Sequence, residues 1–310
     1  MSTPRWIDAE EIYRRVSPEA ARRALLDALL GGLDPANDPP RSNPDAGNGH
    51  LLIMPSSSAN SAGVKVLSVA PDNPDRGLPR IQAWYVLMDA ETLTPSVLLD
   101  GTALTVLRTP AHSMIGVDAL APAQVETAVF IGGGPQTVNH ARALLEVRTP
   151  GRALVHDRAA ERAQGAAAKL VEMGIDAQAI GADELSEAIA QADLIICCTS
   201  SAEPLFDGSL VRPGACVVAM GSHEPDRREL DSGLMARSQV VVEDIATALR
   251  EPGDVVIPVA EGVLDPATLR TVLELVQGKV TPATDRPNIF KPVGMSWQDL
   301  VVAEAAAAAD

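Results

Sequence analysis

The clearest chemical signal in the chain is a run of three glycines after an apolar segment. The stretch AVFIGGGPQTVNHARALL predicts a strand, a turn at residues 132–134 and a helix that begins near Pro135. Glycines let a backbone approach a pyrophosphate closely, and the free N–H groups at a helix N-terminus bind that anion. The pattern predicts a dinucleotide site. The alternative is a tight turn without a nucleotide, because Thr137 stands where a third Gly or Ala is usual.

An acidic residue at the end of the next predicted strand indicates which dinucleotide binds. The segment RALVHD ends at Asp157. A carboxylate at this place binds the two ribose hydroxyls of an adenosine and would repel a 2′-phosphate. NAD is therefore the expected cofactor. NADP stays possible because Arg158 follows directly.

Two later strand ends carry small polar residues. Thr199 and Ser200 follow the apolar run LIICC, and Gly221 follows VVAM, two positions before His223. Ligands bind at the carboxyl ends of parallel strands, so both loops are candidates for lining the nicotinamide half of the site. Ordinary turn chemistry is the alternative, since Gly and Ser are common in loops.

Three basic residues are candidates for binding an anionic substrate. Lys65 interrupts the apolar segment GVKVLSV, Arg108 precedes Thr109, and Arg41 lies in a polar loop. A buried cation needs an anionic partner, and a substrate carboxylate would serve, which arginine binds through two parallel hydrogen bonds. The alternative is that these residues form salt bridges with some of the 41 acidic residues of the chain.

The elements that must position these residues change in pattern along the chain. The first third predicts a helix followed by short strands and turns, an α+β arrangement. Thr109 and Pro110 predict the N-cap and first residue of a further helix. From residue 127 onward, β-rich runs alternate with Ala-rich helices, which is typical of a parallel sheet covered on both faces. The predicted fold class is α/β: a Rossmann-type doubly wound sheet plus a second α+β domain.

Composition excludes several classes of protein. The chain has 310 residues and a net charge of −16. This negative charge argues against binding to nucleic acid and against binding to an anionic membrane surface. Its three cysteines lie in apolar runs and do not suit a disulfide framework, and five histidines without paired spacing predict no metal site. The N-terminal segment lacks the apolar core of a signal peptide, so a soluble, cytoplasmic protein is expected.

Four segments in order carry a resemblance to a known family. They are GLPRIQAWYVLMDAETLTPSVLLDGTALTVLRTPA, FIGGGPQ, GSHEPDRREL and NIFKPVGMSWQDL. Together they resemble the ornithine cyclodeaminase/mu-crystallin family over nearly the whole chain. The resemblance implies a Rossmann domain over residues 113–289. It also implies a substrate-binding and dimerisation domain over 1–112 with 290–310, a homodimer, and an active site in the cleft between the domains.

The resemblance also assigns roles to residues by position. It implies that a hydride moves to or from the Cα of an amino or imino acid. Arg41 and Lys65 match the cations that bind the substrate carboxylate, and Arg108 matches an arginine beside both carboxylate and cofactor. The resemblance matches seven residues to cofactor-binding positions: Arg108, Thr109, Pro135, Gln136, Asp157, Val293 and Gly294. The glycine turn and the strand ends described above add six candidates for cofactor binding: Gly132, Gly134, Arg158, Thr199, Ser200 and Gly221.

Three positions depart from the family pattern. Ornithine cyclodeaminases have an aspartate at the position of His223 and a glutamate at that of Leu52, and Pro110 replaces the usual alanine. An aliphatic side chain at 52 cannot bind the δ-ammonium of ornithine, although His223 is a candidate acid/base group together with Lys65. The expected activity is therefore reduction of a ketimine, or amino-acid dehydrogenation. The alternatives are a cyclodeaminase-type lyase and an NADPH-dependent protein that binds a small ligand.

Overall fold

The computed structural model describes residues 3–309, so the first two residues and Asp310, which the predicted domains include, lie outside the described residues. Its strands are β1 (Arg5–Ile7), β2 (Asp45–Ala46), β3 (Gly49–Ser57), β4 (Ser61–Val69), β5 (Ile81–Asp89), β6 (Pro95–Asp100), β7 (Thr127–Ile131), β8 (Arg152–His156), β9 (Ala177–Ala179), β10 (Leu194–Cys197), β11 (Cys216–Ala219), β12 (Gln239–Val242), β13 (Arg270–Thr271) and β14 (Asn288–Lys291). Its helices are α1 (Ala9–Arg15), α2 (Pro18–Leu30), α3 (Gly101–Leu120), α4 (Pro135–Leu144), α5 (Ala160–Glu172), α6 (Ala182–Gln191), α7 (Ser232–Arg237), α8 (Ile245–Ala248), α9 (Gly253–Ala260), α10 (Val272–Val276) and α11 (Ser296–Ala308).

Two compact units divide the chain. The first consists of the chain up to Ala111 together with the part from Gly294 onward, and the second is His112–Val293. The first unit contains a six-stranded sheet in the order β1-β6-β5-β4-β3-β2, mostly antiparallel. Helix α11 packs on β3, β4 and β5 and also contacts α2. One face of this sheet is therefore buried under a helix contributed by the C-terminal part of the chain.

The second unit is built on a parallel sheet of eight strands in the order β13-β12-β14-β11-β10-β7-β8-β9. The chain runs from β7 outward through β8 to β9 and then returns to β10 on the other side of β7. The strand order thus reverses next to β7, and ligands of open α/β sheets bind at such a reversal. This parallel sheet and the separate α+β unit formed by both chain ends confirm the predicted fold class.

The predicted start of a helix at Thr109 is wrong. Helix α3 begins at Gly101, where the Asp100 carboxylate accepts a hydrogen bond from Ala103 N at 2.9 Å, and it continues through Pro110. A Thr-Pro pair is a good local helix start, but apolar residues on both sides of it are buried, and that packing offsets a proline cost of about 3 kcal/mol. Thr109 instead donates its hydroxyl to Thr105 O at 2.8 Å.

Strand β14 lies in a proline-rich segment whose composition did not predict a strand. It is fully buried and pairs with both β11 and β12. Pro287 and Pro292 flank it rather than interrupt it, which is why composition alone was misleading. None of the helices within residues 3–309 is both long enough and apolar enough to cross a membrane.

Candidate active site

The glycine turn after β7 is shaped for a close approach of another backbone. Gly132 has φ of +112°, a conformation that other residues rarely adopt, and a Cβ atom there would lie 2.5 Å from Cys198 O. Thr137, which replaces the usual third small residue, donates its hydroxyl to Gly132 O. The Thr137 hydroxyl therefore stabilises the turn by an internal hydrogen bond, and the outer side of the turn stays open to a ligand.

Helix α4 presents its N-terminus at this turn. Gly134 is the N-cap and Pro135 the first helical residue, and no side chain caps the helix. The first N–H groups therefore point outward with the positive end of the helix dipole, which is the arrangement that binds a phosphate. The Gln136 Oε1 atom is buried and has no hydrogen-bond partner among the described residues. The glycine turn and the free N–H groups of the helix fit the pyrophosphate of a dinucleotide, to which Gln136 would donate only through its Nε2 atom, since Oε1 is an acceptor like the phosphate oxygens.

Asp157 lies at the end of β8, beside the same turn. Its carboxylate accepts hydrogen bonds from Gly133 N at 2.7 Å and from Ala159 N at 2.9 Å. Burial raises the pKa of Asp157, but these two N–H groups and the neighbouring Arg162 outweigh it and hold the pKa below its usual value. Asp157 is thus a fixed anion at the place where an adenosine ribose is expected, and Arg158 next to it is exposed.

The two loops predicted to line the nicotinamide half lie side by side in the second unit. Thr199 follows β10 and Gly221 follows β11, and these strands are paired in register. A Cβ atom on Gly221 would lie 1.9 Å from Thr199 O, so the loops are in direct contact. Ser200 is exposed, and the His223 side chain is 45% exposed with its Nδ1 atom 3.3 Å from Gly221 O.

Val293 and Gly294 follow β14. Val293 N donates to the buried Glu243 Oε2 at 2.7 Å. Gly294 lies against the Arg108 guanidinium, and its φ of +79° is a conformation that residues other than glycine rarely adopt. Glu243, which the sequence pattern did not place at the site, holds this segment in position.

The candidate cations of the first unit converge on one carboxylate. Lys65 Nζ donates to Asp299 Oδ2 at 2.6 Å and to Thr105 Oγ1 at 3.2 Å. Arg108 lies with its Nε 3.5 Å from Asp299 Oδ1 and donates from Nη1 to Gln298 Oε1 at 3.0 Å. Lys65 and Asp299 are fully buried, and Arg108 nearly so. The salt-bridge alternative thus describes part of this cluster.

Among the groups in direct contact, the cluster has more positive than negative charge, because two buried cations, Lys65 and Arg108, share the single carboxylate of Asp299. Arg41 and Asp38 act on the cluster from farther away: Arg41 lowers the pKa of Lys65, and Asp38 is repelled by Asp299. Arg108 Nε and Asp299 Oδ1 have no hydrogen-bond partner among the described residues. A buried excess of positive charge is stabilised by an added anion, so the cluster fits a substrate carboxylate.

Asp38 connects the Arg41 loop to this cluster. It accepts a hydrogen bond from Trp297 N at 2.9 Å, at the start of the helix that carries Gln298 and Asp299. Burial, more than any other effect, raises the pKa of Asp38 to about 6. The loop of Arg41 is thereby attached to α11, the helix whose Asp299 forms the ion pair with Lys65.

Leu52 lies in an apolar cluster with Met54, Leu67, Val69 and Ala83. It is 6% exposed, so nothing polar replaces the missing glutamate at this position. Residues 3–309 contain no group of three His, Cys, Asp or Glu side chains arranged to hold a metal ion.

Several polar residues at these sites were not assigned from the sequence. Asp299 and Gln298 lie in WQDL, and Glu229 lies in RREL, so both segments were recognised without a role for their charges. A signal was available for Asp299, because a charged residue in an otherwise buried helix needs a partner. The unassigned residues that contact predicted site residues are Thr105, Glu229, Glu243, Gln298 and Asp299.

A family profile and solved structures match nearly the whole chain. The profile of the ornithine cyclodeaminase/mu-crystallin family matches residues 19–307. The Δ1-pyrroline-2-carboxylate reductase of Bacillus cereus (strain ZK / E33L) is 32% identical over 259 residues, covering 82% of this chain and 79% of that protein.

Two solved structures are similar along their full length. The Δ1-pyrroline-2-carboxylate reductase of Thermococcus litoralis, in complex with NADH and L-proline, has a TM-score of 0.89 and 30% identity, covering 97% of this chain and 95% of that one. An archaeal alanine dehydrogenase dimer with bound NAD has a TM-score of 0.90 and 27% identity, covering 98% and 94%.

Proposed function

The chain belongs to the ornithine cyclodeaminase/mu-crystallin family, and from that premise we propose that it reduces a cyclic ketimine acid, Δ1-pyrroline-2-carboxylate or a close analogue, to the amino acid. The protein is an NAD(P)-dependent oxidoreductase of imino and amino acids. The observation that carries the choice of substrate is the buried cluster of Lys65, Arg108 and Asp299, whose excess positive charge fits one carboxylate. The relatives named as reductases of this imine support the same choice.

Each group of residues has a distinct part in this proposal. When bound, the reduced dinucleotide supplies a hydride to the substrate Cα. The glycine turn, the N-terminus of α4 and Asp157 bind its pyrophosphate and adenosine ribose. Arg41, Lys65 and Arg108 bind the carboxylate and orient Cα.

The imine nitrogen must carry a proton to accept a hydride. Burial, more than any other effect, lowers the pKa of Lys65 to about 8. A lysine with this pKa donates a proton near neutral pH more readily than an ordinary lysine. We therefore propose Lys65 as the proton source in preference to the half-exposed His223.

The proposed activity is tested by mixing the protein with NADH and Δ1-pyrroline-2-carboxylate and following the loss of NADH absorbance. We expect oxidation of NADH in step with formation of proline, and faster turnover with NADH than with NADPH because Asp157 repels a 2′-phosphate. Ornithine with catalytic NAD is the comparison. Proline and ammonia from ornithine, without imine reduction, would overturn the proposal in favour of the lyase.

No observation favours the two alternative functions over imine reduction. A cyclodeaminase needs a group that binds the δ-ammonium, and Leu52 lies in an apolar cluster. The cytoplasmic location and the absence of a nucleic-acid partner remain predictions.

We propose that the protein is a homodimer formed by the first unit. The face of its sheet opposite α11 exposes Trp6 and Trp84, whose ring centroids lie 4.7 Å apart, and Val66, which is opposite Trp84 in register. Exposed aromatic and apolar residues that lie together are typical of a protein interface. The archaeal alanine dehydrogenase to which the chain is similar is a dimer.

Trp84→Glu is expected to convert the dimer into a monomer, because it places a charge on a face that a partner would bury. Light scattering after size-exclusion chromatography measures the mass directly. Val263→Glu is the matched control, since Val263 is equally exposed but lies in the second unit. A Trp84→Glu protein that keeps the mass of a dimer would contradict an interface on this face.

A further inference from the structure

One buried carboxylate joins the two loops that follow β10 and β11. Glu229 Oε1 accepts hydrogen bonds from Thr199 N and Thr199 Oγ1, each at 2.8 Å. Glu229 Oε2 accepts from Gly221 N at 2.7 Å. Glu229 is fully buried and comes from the segment between β11 and α7. Both of its oxygens are therefore committed to backbone groups of the two loops.

A second buried layer fixes Glu229. Asp254 Oδ1 accepts from Glu229 N at 2.7 Å and from Leu230 N at 2.8 Å. Lys291 Nζ donates to Ala219 O at 2.8 Å and to Ser222 O at 2.7 Å, and it lies 3.6 Å from Asp254 Oδ2. These contacts hold the ends of three neighbouring strands, β10, β11 and β14, around one carboxylate.

We propose that Glu229 is a positioning residue for the nicotinamide half of the dinucleotide site, and that its carboxylate sets the affinity for NADH by fixing Thr199 and Gly221. This inference rests on the proposed function, which places the cofactor at these loops. Removal of the negative charge leaves buried N–H donors of both loops without a charged acceptor, so the loops separate or reorient. Glu229 has no need to touch the cofactor for this effect.

The charge of Glu229 depends on pH in the neutral range. Burial first, and then Asp254, raise the pKa of Glu229 to about 7, although Lys291 and the N–H groups of Gly221 and Thr199 oppose the shift. Two thiols, those of Cys197 and Cys198, also face this carboxylate. Below pH 7 the protonated carboxyl loses part of its capacity as an acceptor. The affinity for NADH is therefore expected to fall as the pH falls from 8 to 6.

The experiment measures the dissociation constant of NADH by fluorescence for the wild-type protein, Glu229→Gln and Glu261→Gln between pH 6 and 8. Glu261→Gln is the matched control, because Glu261 lies in the same unit with its side chain 45% exposed. For Glu229→Gln at pH 8 we expect the dissociation constant of NADH to increase about tenfold, because a charge-assisted hydrogen bond is lost. We also expect the dissociation constant of this variant not to change with pH, while Glu261→Gln keeps the wild-type values and the wild-type dependence on pH.

Two results would overturn the inference. One is a folded Glu229→Gln protein that binds NADH as tightly as the wild type at pH 8 and keeps the same slope with pH. The other, which needs no variant, is a wild-type affinity for NADH that does not change between pH 6 and 8. Failure of the proposed function is distinguishable from both results. If the wild-type protein binds NADH tightly but does not reduce the imine, only the assignment of the substrate is wrong, and the inference about Glu229 is still tested by NADH binding.

Discussion

Replacing Lys65 by methionine is expected to abolish turnover of the imino acid while leaving the affinity for NADH within about twofold of the wild type. Methionine keeps the length and apolar stem of the side chain, so the place between Met54 and Tyr85 in the sheet stays filled. It removes the ammonium that contacts Asp299 and Thr105. We expect kcat/KM to fall by about a thousandfold or more, since a carboxylate contact and a proton source are lost together.

Two further variants show whether the loss is specific. Lys279→Met removes an exposed ammonium from the second unit and should leave activity unchanged. The double variant Lys65→Met with Asp299→Asn removes both charges of the pair. Lys65→Met could be inactive only because the buried Asp299 carboxylate loses its lysine partner. In that case the double variant, which also removes the carboxylate charge, regains thermal stability and activity. Activity in Lys65→Met above about a tenth of the wild-type value would contradict the assignment of Lys65.

Features that lie within one continuous segment could be predicted from the sequence. The strand, glycine turn and helix that begin at Thr127, and the acidic Asp157 at the end of the next strand, are local patterns. Their placement follows from the chain direction in a parallel sheet, so the dinucleotide half of the site was predictable in outline. The roles of these residues in binding remain proposals.

The substrate half was less predictable because its partners are distant in the chain. Lys65 and Asp299 are 234 positions apart, and no local pattern links a strand near one end to a helix at the other. The cations could therefore be identified from the sequence, but the groups that they contact could not. Local signals were also misleading where burial decided the outcome, as at Pro110, where packing on both sides continues the helix.

The charge of Asp299 explains how a lysine with no exposed surface stays protonated near neutral pH. Burial lowers the pKa of Lys65 most, Arg108 and Arg41 lower it further, and Asp299 raises it, with a result of about 8. The ammonium is therefore present below about pH 8 and is lost as the pH rises above it. If the ammonium is needed for turnover, kcat/KM for the imino acid falls on the alkaline side of this value.

Asp299→Asn is expected to move that alkaline limb to lower pH. The amide keeps the shape of the side chain but removes the charge that raises the pKa of Lys65, so the ammonium is lost at a lower pH than in the wild type. The variant should lose about tenfold or more in kcat/KM at pH 8 and much less at pH 6.

Both proteins are measured from pH 5.5 to 9.5 with the same imino acid, so that titration of the substrate cancels in the comparison. Asp118→Asn, at a half-exposed carboxylate on α3, should leave the limb in place. An Asp299→Asn profile that is lower at every pH but parallel to the wild type would mean that Asp299 supports the fold without controlling the proton of Lys65.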